Sequence, residues 1–174
     1  MQLSDEELLL SAKSGDRSAG EAFHTLIDRH AAAMLRVAGT LVKGTQDAED
    51  LLQETFLAAF RGLGTFEGRA SVKTWLYAIL FRQAANFRRK RGLPSLALSD
   101  DAPMTMPSHI DVIDASLDLH AALARLPDDF RAILILRELD GLSYDEIATV
   151  LELPRGTVES RLHRARTALR KLLI

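Results

Sequence analysis

The chain has 174 residues, 47% of them apolar, no cysteine and a formal net charge of −2. That excludes a disulfide framework, a thiolate zinc site and direct thiol redox sensing, and leaves apolar residues enough for one domain or two small ones. No apolar run is long enough to span a bilayer and the N-terminus is acidic and polar, so the expectation is a soluble, cytoplasmic protein without a signal peptide.

In chain order, the pattern is helical nearly throughout. Residues 5–14 open with an acidic first turn and Leu8, Leu9 and Leu10. Residues 18–38 place Ala22, Phe23, Leu26, Ile27, His30, Met34, Leu35 and Ala38 at helical spacing. Residues 45–61 form a third helix with Thr45 or Asp47 as cap, a core stripe of Leu51, Leu52, Thr55, Phe56 and Ala59, and a stop at Gly62-Leu63-Gly64. A loop at 65–70 leads to a long helix at 71–91 that starts apolar and ends basic. Residues 92–114 hold three prolines, four acids and no base, which reads as an extended acidic linker. Beyond it, helices are expected at 116–125, stopped by Pro127, and at 129–139, capped by Asp128. Asp140-Gly141 is a turn. The fold class is therefore all-α: two small helical domains, 1–91 and 115–174, joined by a flexible linker, 92–114, and moving relative to one another in the free chain.

The last thirty residues carry the sharpest signal. Ser143 and Glu146 have capping-box spacing ahead of Ile147, Ala148 and Leu151, Glu152-Leu153-Pro154 interrupts, and a second helix starts near Arg155. Its inward stripe is Val158, Leu162, Ala165, Leu169 and Leu172; its outer face carries Arg155, Ser160, Arg161, His163, Arg164, Arg166, Arg170 and Lys171, with Glu159 the sole acid. A helix, a tight turn and a basic second helix suit the major groove. Arg155, Thr157, Glu159, Ser160, His163 and Arg164 are positioned to reach base edges, whereas Arg166, Arg170 and Lys171 lie further along, toward phosphate or protein. The plainer alternative, a solvated basic helix end, explains the charge but not the paired helix and turn.

Two further constellations are weaker. Phe66, Trp75, Tyr77, Phe81 and Phe87 alternate with Arg69, Lys73, Arg82, Arg88, Arg89, Lys90 and Arg91, a mixture suited to single-stranded DNA, although Trp75, Leu76 and Ile79 read equally as core. Asp47, Glu49, Asp50, Gln53 and Glu54 share one helix without an accompanying His or phosphate loop, which favours an acidic interaction face over catalysis. His24, His30, His109, His120 and His163 lack metal-ligand spacing, so no metal and no cofactor is expected. Charge is also segregated: ten acids face five bases in the first sixty residues, while residues 82–91 hold five bases and no acid. Such partition points to two kinds of partner, phosphate and a basic protein surface.

From about Glu21 to Leu172 the chain resembles the bacterial sigma factors of the extracytoplasmic-function group. The carriers are DAEDLLQETFLAAF (47–60), TFEGRASVKTWLYAI (65–79), FRRKR (87–91), LPDDFRAILILRELDGLSYDEIA (126–148) and LPRGTVESRLHRARTALR (153–170). The resemblance implies a non-enzymatic factor that directs promoter-specific initiation by core RNA polymerase (β′ and β subunits), with promoter DNA and an anti-sigma factor as its other partners. It assigns core binding to Asp47, Asp50, Gln53 and Glu54, the −10 element to Phe66, Arg69, Lys73, Trp75, Arg82, Asn86, Arg88 and Arg89, and the −35 element to the helix-turn-helix. Three positions depart from the family pattern: Arg82 stands where Asn is common, Glu152 where a small turn residue is favoured, which predicts a looser turn, and Glu159 where a base is common. The alternative is a stand-alone helix-turn-helix regulator of duplex DNA, which needs neither the acidic helix nor the aromatic-basic segment.

Overall fold

The computed structural model describes residues 3–15, 18–42, 44–92 and 121–173, and every regular element among them is helical. The linker from 93 on and the start of the helix expected at 116–125 lie outside these residues; 121–125 are helical as expected.

Helix α1 spans Asp5–Lys13 and begins in a capping box: Ser4 Oγ accepts from the Glu7 amide at 3.2 Å while the Glu7 carboxylate accepts from the Ser4 amide at 2.7 Å. Helix α2, Ala19–Leu41, runs three residues past the expected end. Leu41 is buried and its carbonyl accepts from Arg88 at 3.2 Å, so tertiary contacts prolong the helix beyond its apolar period. Helix α3 is Thr45–Arg61, but neither Thr45 nor Asp47 caps it: Gly44 does, at φ +92°, a conformation open chiefly to glycine. A 3₁₀ turn, Leu63–Thr65, and a loop lead to α4, Val72–Lys90, where Ser71 Oγ accepts from the Thr74 amide at 3.1 Å.

In the C-terminal part, α5 covers Asp128–Leu134 and continues through a π turn, Ile135–Leu139. Pro127 rather than Asp128 occupies its cap position, because the Asp128 carboxylate is taken by Arg131 and Arg88, at 2.7 and 2.9 Å. Helix α6, Tyr144–Leu151, has the expected Ser143/Glu146 capping box, and α7 spans Arg155–Leu172. Between them Glu152 sits at φ +53°, the one non-glycine residue with positive φ among those described. The expected loose turn is therefore a strained left-handed one.

The stripe on α7 also differs from its expected set. Val158, Leu162 and Ala165 are buried as expected, but Ala168 and Arg161 complete the inward face, while Leu169 and Leu172 are only half-buried. Arg161 was expected outside; it is 1% exposed, with its Nε 3.9 Å from the Asp129 carboxylate on α5. At a 100° turn per residue Arg161 lies beside Val158 and Leu162, and the partly buried Asp129 carboxylate makes a charge tolerable there.

Both helical units contribute to one continuous apolar cluster: α4 packs on α6, and α2 on α5. The two units are in contact in this structure, where the face of α4 beyond its own bundle meets the helix-turn-helix unit.

Candidate nucleic-acid interface

Three surfaces matter, and the fold places them differently with respect to solvent.

The first is α3. Its inner stripe of Ala48, Leu51, Thr55, Phe56 and Ala59 is buried. Asp50, Gln53 and Glu54 lie on the opposite face and are exposed. Leu57 and Phe60 continue that face at 41% and 50% exposure, so the surface is acidic at one end and apolar at the other. Phe60 leans edge-on against Phe23 of α2, ring centroids 5.2 Å apart. Asp47, expected in the same set, is instead bound to Arg91 at the end of α4, which also stacks on Phe87 at 4.4 Å. The residues missed by sequence reading are Leu57 and Phe60, and the signal was present: both are apolar at positions off the core stripe.

The second surface is the α3–α4 loop and α4. Phe66 packs edge-on against Trp75, centroids 5.4 Å apart, and both are half-buried. Arg69 is exposed in an ion pair with Glu67. Arg89 is exposed and donates to Asn86 Oδ1 at 3.1 Å. Lys73, Arg82 and Arg88 do not face solvent alone. The Lys73 ammonium donates to the Asp140 carbonyl, Arg82 lies 3.7 Å from Glu152, and Arg88, only 14% exposed, donates to Asp128. Arg36 of α2 reaches Asp140 at 3.4 Å. At the N-terminus of α4, Thr74 Oγ1 and Ser71 Oγ donate to Glu146 at 3.0 and 3.4 Å. Acids of the C-terminal unit thus pair with Arg36, Arg82 and Arg88 of the N-terminal one.

Glu146 is the centre of this contact. One of its carboxylate oxygens caps α6, the other receives Thr74 at the start of α4, so a single anion lies between two helix N-termini. The Ser143 amide, with Thr74 and Ser71 adding to it, holds the Glu146 carboxyl below its ordinary value against the opposing effect of burial. Nearby, burial and then the Asp140 charge push the Tyr77 hydroxyl far up, so it stays protonated.

The third surface is α7. Arg155, Glu159, Ser160, His163 and Arg164 are all exposed on one side, with Thr157 half-buried beside them. Arg155 is held by Glu159 at 3.1 Å and Asp145 at 3.0 Å, which raise its pKa. Arg166 pairs with Glu138 at 2.6 Å. The outer face is therefore not a bare row of cations but one with built-in acid partners, and those exposed pairs exchange readily in water.

Comparison with known proteins bears on all three surfaces. The sigma-70 region 2 family matches residues 26–93 and the sigma-70 region 4 family residues 116–169. The RNA polymerase sigma-H factor of Pseudomonas aeruginosa is 36% identical, the alignment covering 99% of this chain and 95% of that protein. The chain belongs to the sigma-70 family, in its extracytoplasmic-function group. The sigma-E factor of Escherichia coli is 34% identical over 97% of this chain and 93% of its own length. Among solved structures, CnrH in complex with the cytosolic domain of CnrY superposes with a TM-score of 0.71 and 26% identity, covering 97% of this chain and 96% of that one. RpoE with the anti-sigma factor NepR from Bartonella quintana gives 0.69 and 30%, covering 87% and 96%.

In this sigma factor the region 2 match contains α3, the loop and α4, and the region 4 match contains α6 and α7 as far as residue 169. The acidic-apolar face and the aromatic-basic segment therefore both lie in region 2, and the helix-turn-helix lies in region 4.

Proposed function

We propose that the sigma factor divides its work among these surfaces: the exposed Asp50–Gln53–Glu54–Leu57 face of α3 docks on core polymerase, Phe66, Trp75 and the basic positions of α4 take the −10 strand, and Arg155, Thr157, Glu159, Ser160, His163 and Arg164 of α7 read the −35 duplex. Asp47 contributes by fixing Arg91 across the α3–α4 gap. The observation that carries the reading is the coexistence, on one chain, of an exposed acid-apolar helix face and a major-groove helix; a duplex-binding regulator has no use for the former.

The mechanism is binding alone. Core polymerase recruits the acidic face, α7 anchors the duplex, and an aromatic surface traps bases once they unstack. None of this needs a bond to be made or broken by the factor. Promoter entry requires the two units to separate, since Glu146, Asp140, Asp128 and Glu152 sit on Ser71, Thr74, Lys73, Arg36, Arg88 and Arg82. An anti-sigma factor controls the protein by holding this closed arrangement, a reading supported by the similarity, across both units, to the sigma factor RpoE solved with the anti-sigma factor NepR and to CnrH solved with CnrY.

Run-off transcription with purified core polymerase and a library of promoter fragments tests the proposal. Specific transcripts that depend on the added factor are expected. A protein that binds duplex DNA without core and gives no transcript with it is a stand-alone regulator instead.

A further inference from the structure

The loop that carries Phe66 has little to hold it. Its main-chain bonds, Thr65 to Gly62 at 2.9 Å and Phe66 to Leu63 at 3.3 Å, end at Phe66. Among the described residues no main-chain hydrogen bond ties residues 67–70, and Gly68 turns the chain at φ +73°. One contact from outside the loop acts on Phe66 twice. The Lys13 ammonium, at the last residue of α1, donates to the Phe66 carbonyl at 2.7 Å and lies 5.5 Å from the Phe66 ring centroid, over its face. The same ring packs at a steep angle against Trp75, with centroids 5.4 Å apart.

Lys13 can act as a fixed point because α1 is itself fixed. Leu8, Leu9 and Ala12 are buried, and α1 packs on α2, on α4 and on the 3₁₀ turn. At the far end of α1, Asp5 binds Arg29 at 2.8 Å and His30 at 2.6 Å. The helix is thus clamped to α2 at its start and reaches the loop with its last side chain. A half-buried ammonium that satisfies a carbonyl and a ring face together orders both before any ligand arrives. Ordering a loop in advance removes that cost from the binding step.

We propose that Lys13 is a positioning residue for capture of the −10 strand: by holding the Phe66 main chain and ring together it presets the aromatic surface on which an unstacked base is received. The inference rests on the assignment of Phe66 to the −10 strand and extends it to α1, which carries no role in that assignment. Lys13 acts through Phe66 and not on the phosphate backbone.

The experiment uses holoenzyme assembled from core polymerase and the full-length factor. The probe is a fork-junction DNA, duplex through −35 and single-stranded across −10, and the factors are wild type, Lys13→Met, Lys13→Arg and Phe66→Ala. Methionine keeps most of the stem and removes donors and charge; arginine keeps both the donor and the cation over the ring. Lys13→Met is expected to weaken fork binding about tenfold, with Lys13→Arg recovering most of it. Affinity for core, affinity for the −35 duplex and the thermal midpoint of the free factor should stay at wild-type values. The salt dependence of fork binding should run parallel to that of wild type, since no phosphate contact is lost. Wild-type fork binding by Lys13→Met, beside a defective Phe66→Ala, overturns the inference and leaves the role of Phe66 intact. Wild-type binding by Phe66→Ala overturns both. A salt slope reduced by about one in Lys13→Met overturns the inference in favour of a direct phosphate contact, and equal losses in core binding or thermal midpoint, without rescue by arginine, overturn it in favour of a purely structural role.

Discussion

Arg161 and Arg164 are three residues apart on one helix and have opposite fates. Arg161 is buried beside Asp129, whereas Arg164 is exposed on the face that carries Glu159, Ser160 and His163. Arg164→Ala should therefore reduce discrimination among −35 sequences, at a cost of about 1–3 kcal/mol if its guanidinium reads a guanine edge bidentately. Arg170→Ala, further along the helix, should lower affinity by a similar factor for every sequence. Competition with altered −35 duplexes checks both, and equal losses for Arg164→Ala across all sequences contradict its base-reading role. Glu152 gives a second residue-scale prediction. Its left-handed φ of +53° strains a side-chain-bearing residue, and its pairing with Arg82 is long and exposed, so little is lost with the carboxylate. Glu152→Gly should stabilise the factor by about 1 kcal/mol in denaturant titrations. Lower stability would mean that the Arg82 contact outweighs the backbone strain.

Helix α3 is self-sufficient on its inner side and unspent on its outer side. Its buried stripe does not include Gln53, Glu54 or Leu57. Gln53→Ala combined with Glu54→Ala should weaken retention on immobilised core polymerase without changing the circular dichroism spectrum, because exposed positions on a well-anchored helix cost little. Leu57→Ala should add to the loss, since an apolar side chain 41% exposed in the free factor has area to bury in a complex. Full retention by the triple variant would remove α3 from the docking surface. Helix α4 has a mixed character: Arg88 is held by Asp128 and Lys73 by the Asp140 main-chain carbonyl, whereas Arg82 and Arg89 stay exposed.

At the scale of the whole molecule, Glu146 bridges two helix N-termini across the contact between the units, beside the apolar packing of α4 on α6. A carboxyl held below its ordinary value contributes stability that is fully present above its unfolded value, near 4.3 for Glu, and is lost as pH falls through the folded value. Most of that lowering comes from the Ser143 amide of its own capping box and persists when the units part; only the share added by the Thr74 and Ser71 hydroxyls belongs to the contact between the units, and that share is present at neutral pH and lost in acid. Glu146→Gln should keep the capping position polar but remove the charge, shifting the closed-to-open ratio toward open by roughly fivefold, or about 1 kcal/mol after allowance for partial exposure. Small-angle scattering should show a larger radius of gyration at pH 7 for Glu146→Gln with Asp128→Asn than for wild type. Wild type should expand toward the variant as the solution is acidified below about pH 4. An unchanged radius in the variant would mean that the apolar contact between α4 and α6 alone closes the molecule.

The all-helical class, most helix limits and the basic outer face of α7 were legible in the sequence, because apolar periodicity and capping boxes such as Ser143/Glu146 are local and act within one or two turns. So was the exposed acidic face of α3, whose stripe leaves Asp50, Gln53 and Glu54 outside. Position inside the tertiary structure decided the rest. Leu41 extends α2 because Arg88, 47 residues away, takes its carbonyl. Arg161 turns inward because Asp129 lies opposite, and Asp47 turns to Arg91. Lys13 reaches Phe66 across 53 residues, and acids of the C-terminal unit pair with Thr74 and Arg88 of α4. Each of these pairs a charge with a partner far along the chain, and a charged residue read alone carries no mark of whether its partner is water, DNA or another part of the same molecule.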